Sequence, residues 1–178
     1  AWNHGDVQSD ITTTWLGLVG PGVRHDGVNG DIWSDHTDIR PTVLSLLGLQ
    51  DDYVSDGRVL FEALYDWAAP QTVRAHSETL QRLAETYKQI NAPIGELSLA
   101  SLQASTTALK SNAAGDATYT QLEGQLAALT SQRDALAAHM SALLNDAEFN
   151  GHAIDEQQAK DLISQGQALL AQANALNG

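Results

Sequence analysis

The spacing of apolar residues between positions 118 and 149 constrains the fold more than any other feature of the sequence. These residues recur in alternating steps of four and three, which is the a/d pattern of a helix that packs along one seam. Asn150 and Gly151 then supply a stop signal. The pattern predicts one long helix from about residue 118 to about residue 149. Its seam positions are Leu122, Leu126, Leu129, Arg133, Leu136, Met140 and Leu143.

The same helical rhythm occurs in three other segments after Pro70. Between them, Asn91-Ala92-Pro93 and residues 112–115 break the pattern. Short breaks between amphipathic helices favour antiparallel neighbours, so residues 70–178 are predicted to form an antiparallel helical hairpin or bundle of about four helices. The predicted apolar faces are Leu80, Leu83, Tyr87 and Ile90; then Leu99, Leu102, Thr106 and Leu109; then Leu162, Leu169, Ala173 and Leu176, widened by Ile163 and Leu170.

The first third of the chain follows a different pattern. Residues 12–19 are β-branched and then apolar with little alternation, and Gly20-Pro21-Gly22 stops the run. This composition predicts a strand that is covered on both faces. The predicted fold class is therefore mainly α. A small α/β remnant with one or two strands, at residues 1–69, precedes the helical extension at residues 70–178.

Two helices are also predicted within this first third. Thr37 or Asp38 can cap a short helix that has Pro41 in its first turn and Gly48 as its stop. Residues 59–68 are predicted to form a second helix, which ends before Pro70.

The formal charge of −13 narrows the classes of function. It argues against a nucleic-acid surface, because phosphate binding needs clustered Lys and Arg. The chain has no cysteine, which excludes disulfides and thiolate metal sites. No apolar run approaches the ~20 residues that cross a bilayer, so no transmembrane segment is expected.

Three groups of neighbouring His and Asp residues are candidate metal ligands, because imidazole and carboxylate are natural ligands of zinc and similar ions. Two of these groups have simpler explanations. His25-Asp26 fits an exposed turn. Asp35-His36-Thr37-Asp38 fits a set of capping hydrogen bonds that fix the following helix. The three groups are His4 with Asp6, His25 with Asp26, and Asp35-His36 with Asp38.

Four motifs follow one another in the first third. They are His4-Gly5, the apolar run that ends in Gly20-Pro21-Gly22, then Asp38-Ile39-Arg40-Pro41-Thr42, and then Leu47-Gly48-Leu49. In this order and spacing they resemble the carboxyl-terminal end of the catalytic domain in the alkaline phosphatase superfamily. The likeness is greatest to the type I phosphodiesterase/nucleotide pyrophosphatase and sulfatase-like members of actinobacteria. The helical remainder resembles the carboxyl-terminal extension of that actinobacterial group.

The resemblance implies that His4 is the closing ligand of a two-metal site, with zinc as the expected ion. In the family the nucleophilic Ser or Thr and the other ligands precede this His. The chain is then the carboxyl-terminal part of a metal-dependent phosphoric or sulfuric ester hydrolase. We expect it to be inactive alone and to hold no metal firmly by itself. Asp35-His36 imitates the family's Asp-His doublet but follows the closing His, and Asp38 matches a structural residue.

The partner that the resemblance implies is the missing amino-terminal catalytic part, and the implied location is extracellular or in the cell envelope. The alternative hypothesis is a non-catalytic helical interaction or structural module, because most of the chain is amphipathic helix without chemistry. Both hypotheses leave room for a homo-oligomer, formed through the helices or through an unpaired strand at residues 12–19.

Overall fold

The computed structural model of the chain describes residues 7–110 and 117–177. The predicted metal ligand His4 and the predicted break at residues 112–115 lie outside these residues. The described part is mainly helical, as predicted. Its α-helices are α1 (Ser9–Thr12), α2 (Ile39–Leu47), α3 (Gln71–Ala75), α4 (Ser77–Asn91), α5 (Glu96–Leu109), α6 (Ala117–Glu148) and α7 (Glu156–Ala175), and short 3₁₀ turns lie at His36–Asp38, Phe61–Ala63 and Asp66–Ala68.

A bundle of α4, α5, α6 and α7 forms the larger part of the molecule, and each of these helices packs against the other three. The predicted faces of α4, α6 and α7 are confirmed, except that Leu126 and Leu143 of α6 are only half-buried and the half-buried Leu176 lies just beyond the end of α7. The helix ends at Asn91 and Glu148 also agree with the predicted breaks. The buried residues of these faces include Leu80, Leu83, Tyr87 and Ile90 of α4, Leu122, Leu129, Leu136 and Met140 of α6, and Leu162, Ile163, Leu169, Leu170 and Ala173 of α7.

A glycine allows α7 to lie close to α4. A Cβ at Gly166 would lie 2.4 Å from Cγ2 of Thr86 and 3.1 Å from Cε of Met140. Both distances are shorter than ordinary van der Waals contact, so only glycine fits here without a shift of its neighbours.

The prediction of which face of α5 is buried is wrong. Leu99, Leu102 and Leu109 are exposed, whereas the residues that α5 buries are Leu97, Ala100 and Ala104. Small side chains let α5 approach its neighbours closely. The bulky leucines are therefore left on the opposite side of the helix.

The predicted strand at residues 12–19 is not formed either. Residues Ser9–Thr12 are α1, and residues 13–19 have no regular secondary structure. Within residues 7–110 and 117–177 the structure has no strand, and the only bridge pairs Val23 with Leu64. A strand needs a hydrogen-bonded neighbour along its length, and the described residues offer this segment none.

Residues 59–68 form two 3₁₀ turns instead of the predicted helix. Val59, Leu60 and Phe61 are all buried. A helix that lies on a surface cannot bury three consecutive side chains, because they point in different directions. The Tyr65 N–H also donates to the Gly22 carbonyl oxygen at 2.8 Å, and this bond holds the segment against the chain around residue 23.

The helix predicted between Asp38 and Gly48 is confirmed as α2. Gly48 ends it in the left-handed conformation, with φ of 64°. The buried Thr42 hydroxyl donates to the Asp38 carbonyl oxygen at 2.6 Å and accepts the Leu60 N–H at 3.0 Å. α2 is thereby joined to the 59–68 segment.

The hydrophobic core is continuous between the first third and the bundle. Val23, Val59, Phe61 and Leu64 belong to the same buried cluster as the α4, α6 and α7 side chains. As for crossing a bilayer, no helix among the described residues combines the necessary length with sufficient apolar character.

Candidate functional site

The predicted metal site is not assembled by the described residues. His4 lies outside them, and within residues 7–110 and 117–177 no three His, Asp or Glu side chains converge to hold an ion. His25 is exposed beside the Tyr65 ring, at 6.1 Å between ring centroids. His36 is also exposed.

Residues 35–38, called here the 35–38 turn, form a reciprocal capping box at the start of the His36–Asp38 3₁₀ turn. The Asp35 carboxylate accepts the Thr37 N–H at 2.8 Å and the Thr37 hydroxyl at 2.5 Å. The Asp38 carboxylate accepts the Asp35 N–H at 3.0 Å. These bonds confirm the capping explanation for this motif.

Lys88 of α4 is the partner that the 35–38 turn faces. Its side chain is only 2% exposed, and its ammonium lies 2.9 Å from Asp35 Oδ2 and 3.0 Å from Asp38 Oδ1. The ammonium also donates to the Thr37 hydroxyl at 3.0 Å and lies 5.7 Å from the centre of the Trp33 ring. A buried ammonium is tolerable only when it is paired in this way.

The pKa of Asp35 reflects this pairing. Burial acts to raise it, but hydrogen bonds from Thr37 and Lys88 and the charge of Lys88 outweigh burial and hold it below its ordinary value of 3.8. Asp35 therefore remains a carboxylate over a wide pH range and keeps Lys88 paired.

Arg58 continues this set of ion pairs and hydrogen bonds towards α6. Its main-chain N–H donates to Asp38 Oδ1 at 2.9 Å. Its guanidinium forms a two-pronged ion pair with Glu62, at 2.6 and 2.7 Å, and donates to the Trp33 carbonyl oxygen at 3.2 Å. Burial acts to lower the pKa of Arg58, and the hydrogen bond and charge of Glu62 more than offset this effect.

Gly57 allows this arrangement to close. A Cβ at Gly57 would lie 2.0 Å from the Thr37 carbonyl oxygen and 2.9 Å from the Asp38 nitrogen, both of which are main-chain atoms. No side chain fits there, so the chain before Arg58 can approach the 35–38 turn only with glycine at this position.

Glu148, in the last turn of α6, completes the network. The residue is 6% exposed, and its Oε1 atom has no hydrogen-bond partner. Burial raises the pKa of Glu148 to about 8, even though the Arg58 charge acts in the opposite direction. Burial therefore favours the neutral acid form of this side chain.

The ion network, defined as Asp35, Asp38, Arg58, Glu62, Lys88 and Glu148, joins the first third to α4 and α6. Five of its side chains, those of Asp35, Asp38, Arg58, Glu62 and Lys88, form ion pairs with one another, whereas Glu148 is buried with an unpartnered Oε1 atom. This arrangement positions the chain segments.

The acidic loop at residues 51–57 lines a separate small cavity of about 210 Å³ beside α2 and the end of α6. Arg40 pairs with Asp51 there and lies over the Tyr53 ring, at 4.2 Å from its centre. The loop is held in place by this cation–π contact and ion pair.

The extended segment at residues 13–19 is largely exposed. For residues 14–19 the structure gives no main-chain hydrogen bond to any described residue. Trp15 is 89% exposed and Val19 is 99% exposed. Leu18 alone packs on the core, beside an open groove of about 530 Å³.

Sequence reasoning missed Lys88 and Glu148. Lys88 follows Leu80 and Ala84 by eight and four positions, and Glu148 follows Met140 and Leu144 in the same way. Both charged residues therefore lie within an apolar helical stripe, and this signal could have identified them as buried ions.

Comparisons of the chain with protein-family models, with curated proteins and with solved structures found no match.

Proposed function

We propose that the chain is the carboxyl-terminal part of a metal-dependent phosphoric or sulfuric ester hydrolase. In this proposal His4 is one metal ligand, and the helical bundle holds the first third of the chain in a fixed position. The observation that carries the proposal is the segment at residues 14–19: its main chain has no hydrogen bond to any described residue, and the side chains of Trp15 and Val19 are exposed.

An extended apolar segment of this kind is costly in water. Its N–H and C=O groups form a template for strand pairing, and its side chains gain free energy only when they are covered. Trp15, Leu16, Leu18 and Val19 suit a strand in the interior of an α/β sheet, where helices cover both faces. The missing catalytic part would supply that sheet and its helices.

The ion network supports a positioning role for the helices. The motif residue Asp38 accepts the Arg58 N–H at 2.9 Å and pairs with Lys88 of α4 at 3.0 Å. Because Asp38 begins the helix that carries Pro41 and Thr42, the bundle fixes α2 in place. A catalytic domain that docks on the first third would meet a rigid surface.

The metal chemistry must come largely from outside this chain. A two-metal site stabilises both the attacking and the leaving oxygen of an in-line displacement, which requires several ligands. This chain would contribute His4, and zinc is the expected ion. The missing amino-terminal part would contribute the nucleophile and the other ligands, and the complete enzyme would act outside the cell or in the cell envelope.

The test is hydrolysis by the complete gene product. We expect zinc-dependent hydrolysis of bis(p-nitrophenyl) phosphate or of p-nitrophenyl sulfate. His4→Ala should lower kcat/KM by more than about 100-fold, because loss of even a residue that supports a metal ligand costs about 10- to 100-fold. The exposed His36 provides the matched control, and His36→Ala should change the rate by less than about twofold. Absence of hydrolysis on both esters, or equal losses in the two variants, would contradict the proposal.

A second candidate is a non-catalytic helical interaction module, and the exposed row on α5 favours it. Leu99, Leu102 and Leu109 share one side of this helix, and Leu109 is 72% exposed. Such a row is able to pack against a helix of a second copy. Light scattering of the purified chain tests this candidate: the module predicts a dimer that becomes monomeric in the double variant Leu102→Gln, Leu109→Gln, and a monomeric parent chain would contradict it.

A further inference from the structure

The end of α6 carries a carboxyl group in a place that disfavours its charged form. Glu148 lies in the last turn, where the exposed carbonyl groups of a helix already provide negative potential. The side chain is buried, and its Oε1 atom has no partner among the described residues. A carboxylate in such a place loses its hydration and gains only the hydrogen bond from the Val59 N–H in return.

The charged groups around Glu148 add to this effect. From the first third, Arg58 acts to stabilise a carboxylate, whereas Glu62 and Asp38 act against it. Both terminal nitrogens of Arg58 are already engaged by Glu62 and by main-chain oxygens, and its Nε is the one without a partner.

The charged groups of the other elements around the end of α6 are already paired or exposed, so they do little to stabilise a carboxylate at Glu148. From α4, the Lys88 ammonium is paired with Asp35 and Asp38. From α3, Thr72 provides a hydroxyl, and Arg74 is exposed. From α7, the charged side chains Glu156, Lys160 and Asp161 are exposed.

The balance of charges in the ion network also favours the neutral form of Glu148. Without Glu148 the ion network holds two positive groups, Arg58 and Lys88, and three negative groups, Asp35, Asp38 and Glu62. Ionisation of Glu148 would add a fourth negative charge in a buried place. The neutral acid is therefore the form that fits the closed structure.

We propose that Glu148 is a proton-operated latch: its protonated carboxyl group holds the end of α6 against residues 58–59 and against α3. With its proton, the carboxyl group packs neutrally against Arg58 and Val59. When the proton leaves to solvent, the new carboxylate is repelled by Glu62 and Asp38, and the last turn of α6 separates from them. The contact between the Thr72 hydroxyl and the Ala147 carbonyl oxygen, at 2.5 Å, opens with it.

The direction of the pH dependence follows from the raised pKa. Burial first, and then Glu62 and Asp38, raise the pKa of Glu148 from 4.5 to about 8, while Arg58 and the Val59 N–H act to lower it. Between these two values the folded chain keeps a proton that the unfolded chain has released. The folding equilibrium constant should therefore decrease by up to roughly tenfold per pH unit between about pH 5 and pH 8 because of this group.

Carboxyl ¹³C NMR tests the protonation directly in the unaltered chain. We expect one glutamate to titrate near pH 8 and its signal to be absent in Glu148→Gln. If every glutamate titrates below pH 6, the proposal is overturned, whether or not any variant folds.

Thiol labelling tests the opening of the latch, because the chain has no cysteine of its own. Ala147→Cys places a thiol at a fully buried position of α6, and Ala138→Cys places one at an exposed position of the same helix. The ratio of the two labelling rates should increase at least tenfold from pH 7 to pH 9. In the Glu148→Gln background the ratio should stay flat, and in the background of the exposed Glu123→Gln it should increase as in the parent. Equal behaviour of the Glu148→Gln and Glu123→Gln backgrounds would overturn the latch.

Discussion

At the scale of single residues, Lys88 determines how the first third is joined to the bundle. It reaches from α4 to a turn 51 positions earlier in the chain. Its ammonium satisfies two carboxylates, and one of these, Asp38, is fully buried. Removal of the lysine would leave these charges without their cation, which costs more than the pair itself contributes.

We therefore expect Lys88→Met to lower the free energy of unfolding by about 3–5 kcal/mol. Lys160→Met is the matched control, because Lys160 forms an exposed pair with Glu156 on α7 and should change stability far less than Lys88→Met does. Urea denaturation at pH 7 measures both values. Similar losses in the two variants would mean that the Lys88 pairing contributes no more than a surface ion pair.

The same lysine should also control the response to acid. The pKa of Asp35 is lower in the folded chain than its ordinary value of 3.8, so the stability it contributes is present above that value and is lost as the pH falls through the folded pKa. In Lys88→Met the pKa of Asp35 should increase, and this part of the acid sensitivity should disappear. NMR titration of the Asp35 carboxyl group measures the change, and an unaltered pKa would show that Lys88 is not its cause.

At the scale of the elements, leucine spacing predicts α4, α6 and α7 well and fails for α5. The three helices bury most of the leucines on their predicted faces, and Leu126 and Leu143 of α6 are half-buried. In α5 the buried face is built on Ala100 and Ala104, so packing distance rather than side-chain size decides its orientation. A pattern that follows only large apolar residues cannot detect a contact made by small ones.

The close contact of α4 with α7 gives a prediction at the same scale. Gly166→Ala should destabilise the chain by about 1–3 kcal/mol, because the new methyl group would overlap Thr86, whose hydroxyl is already bonded to the Arg82 carbonyl oxygen. Gly124→Ala in α6 meets no atom within 4 Å and should stabilise the chain by up to about 1 kcal/mol. Thermal denaturation should move in opposite directions for the two variants. A shift in the same direction would contradict the close packing at Gly166.

At the scale of the whole molecule, the sequence predicts local features better than long-range partners. The capping bonds of the 35–38 turn join residues that are two or three positions apart, and they were predictable. The pairing of this turn with Lys88, and the electrostatic interaction of Arg58 with Glu148 at the end of α6, depend on chain segments that meet only after folding. The residue types in the 12–19 run indicate which environment they suit, but a strand forms only when a second strand is present.

The most direct test of the proposed function is amide hydrogen exchange at residues 14–19. In this chain these amides should exchange at nearly the rate of an unfolded peptide, because their N–H groups have no main-chain acceptor among the described residues. In the complete gene product the proposal predicts strong protection of the same amides, since they would form a strand within the catalytic sheet. Fast exchange in both proteins would contradict the account, and the helical interaction module would then be the better description.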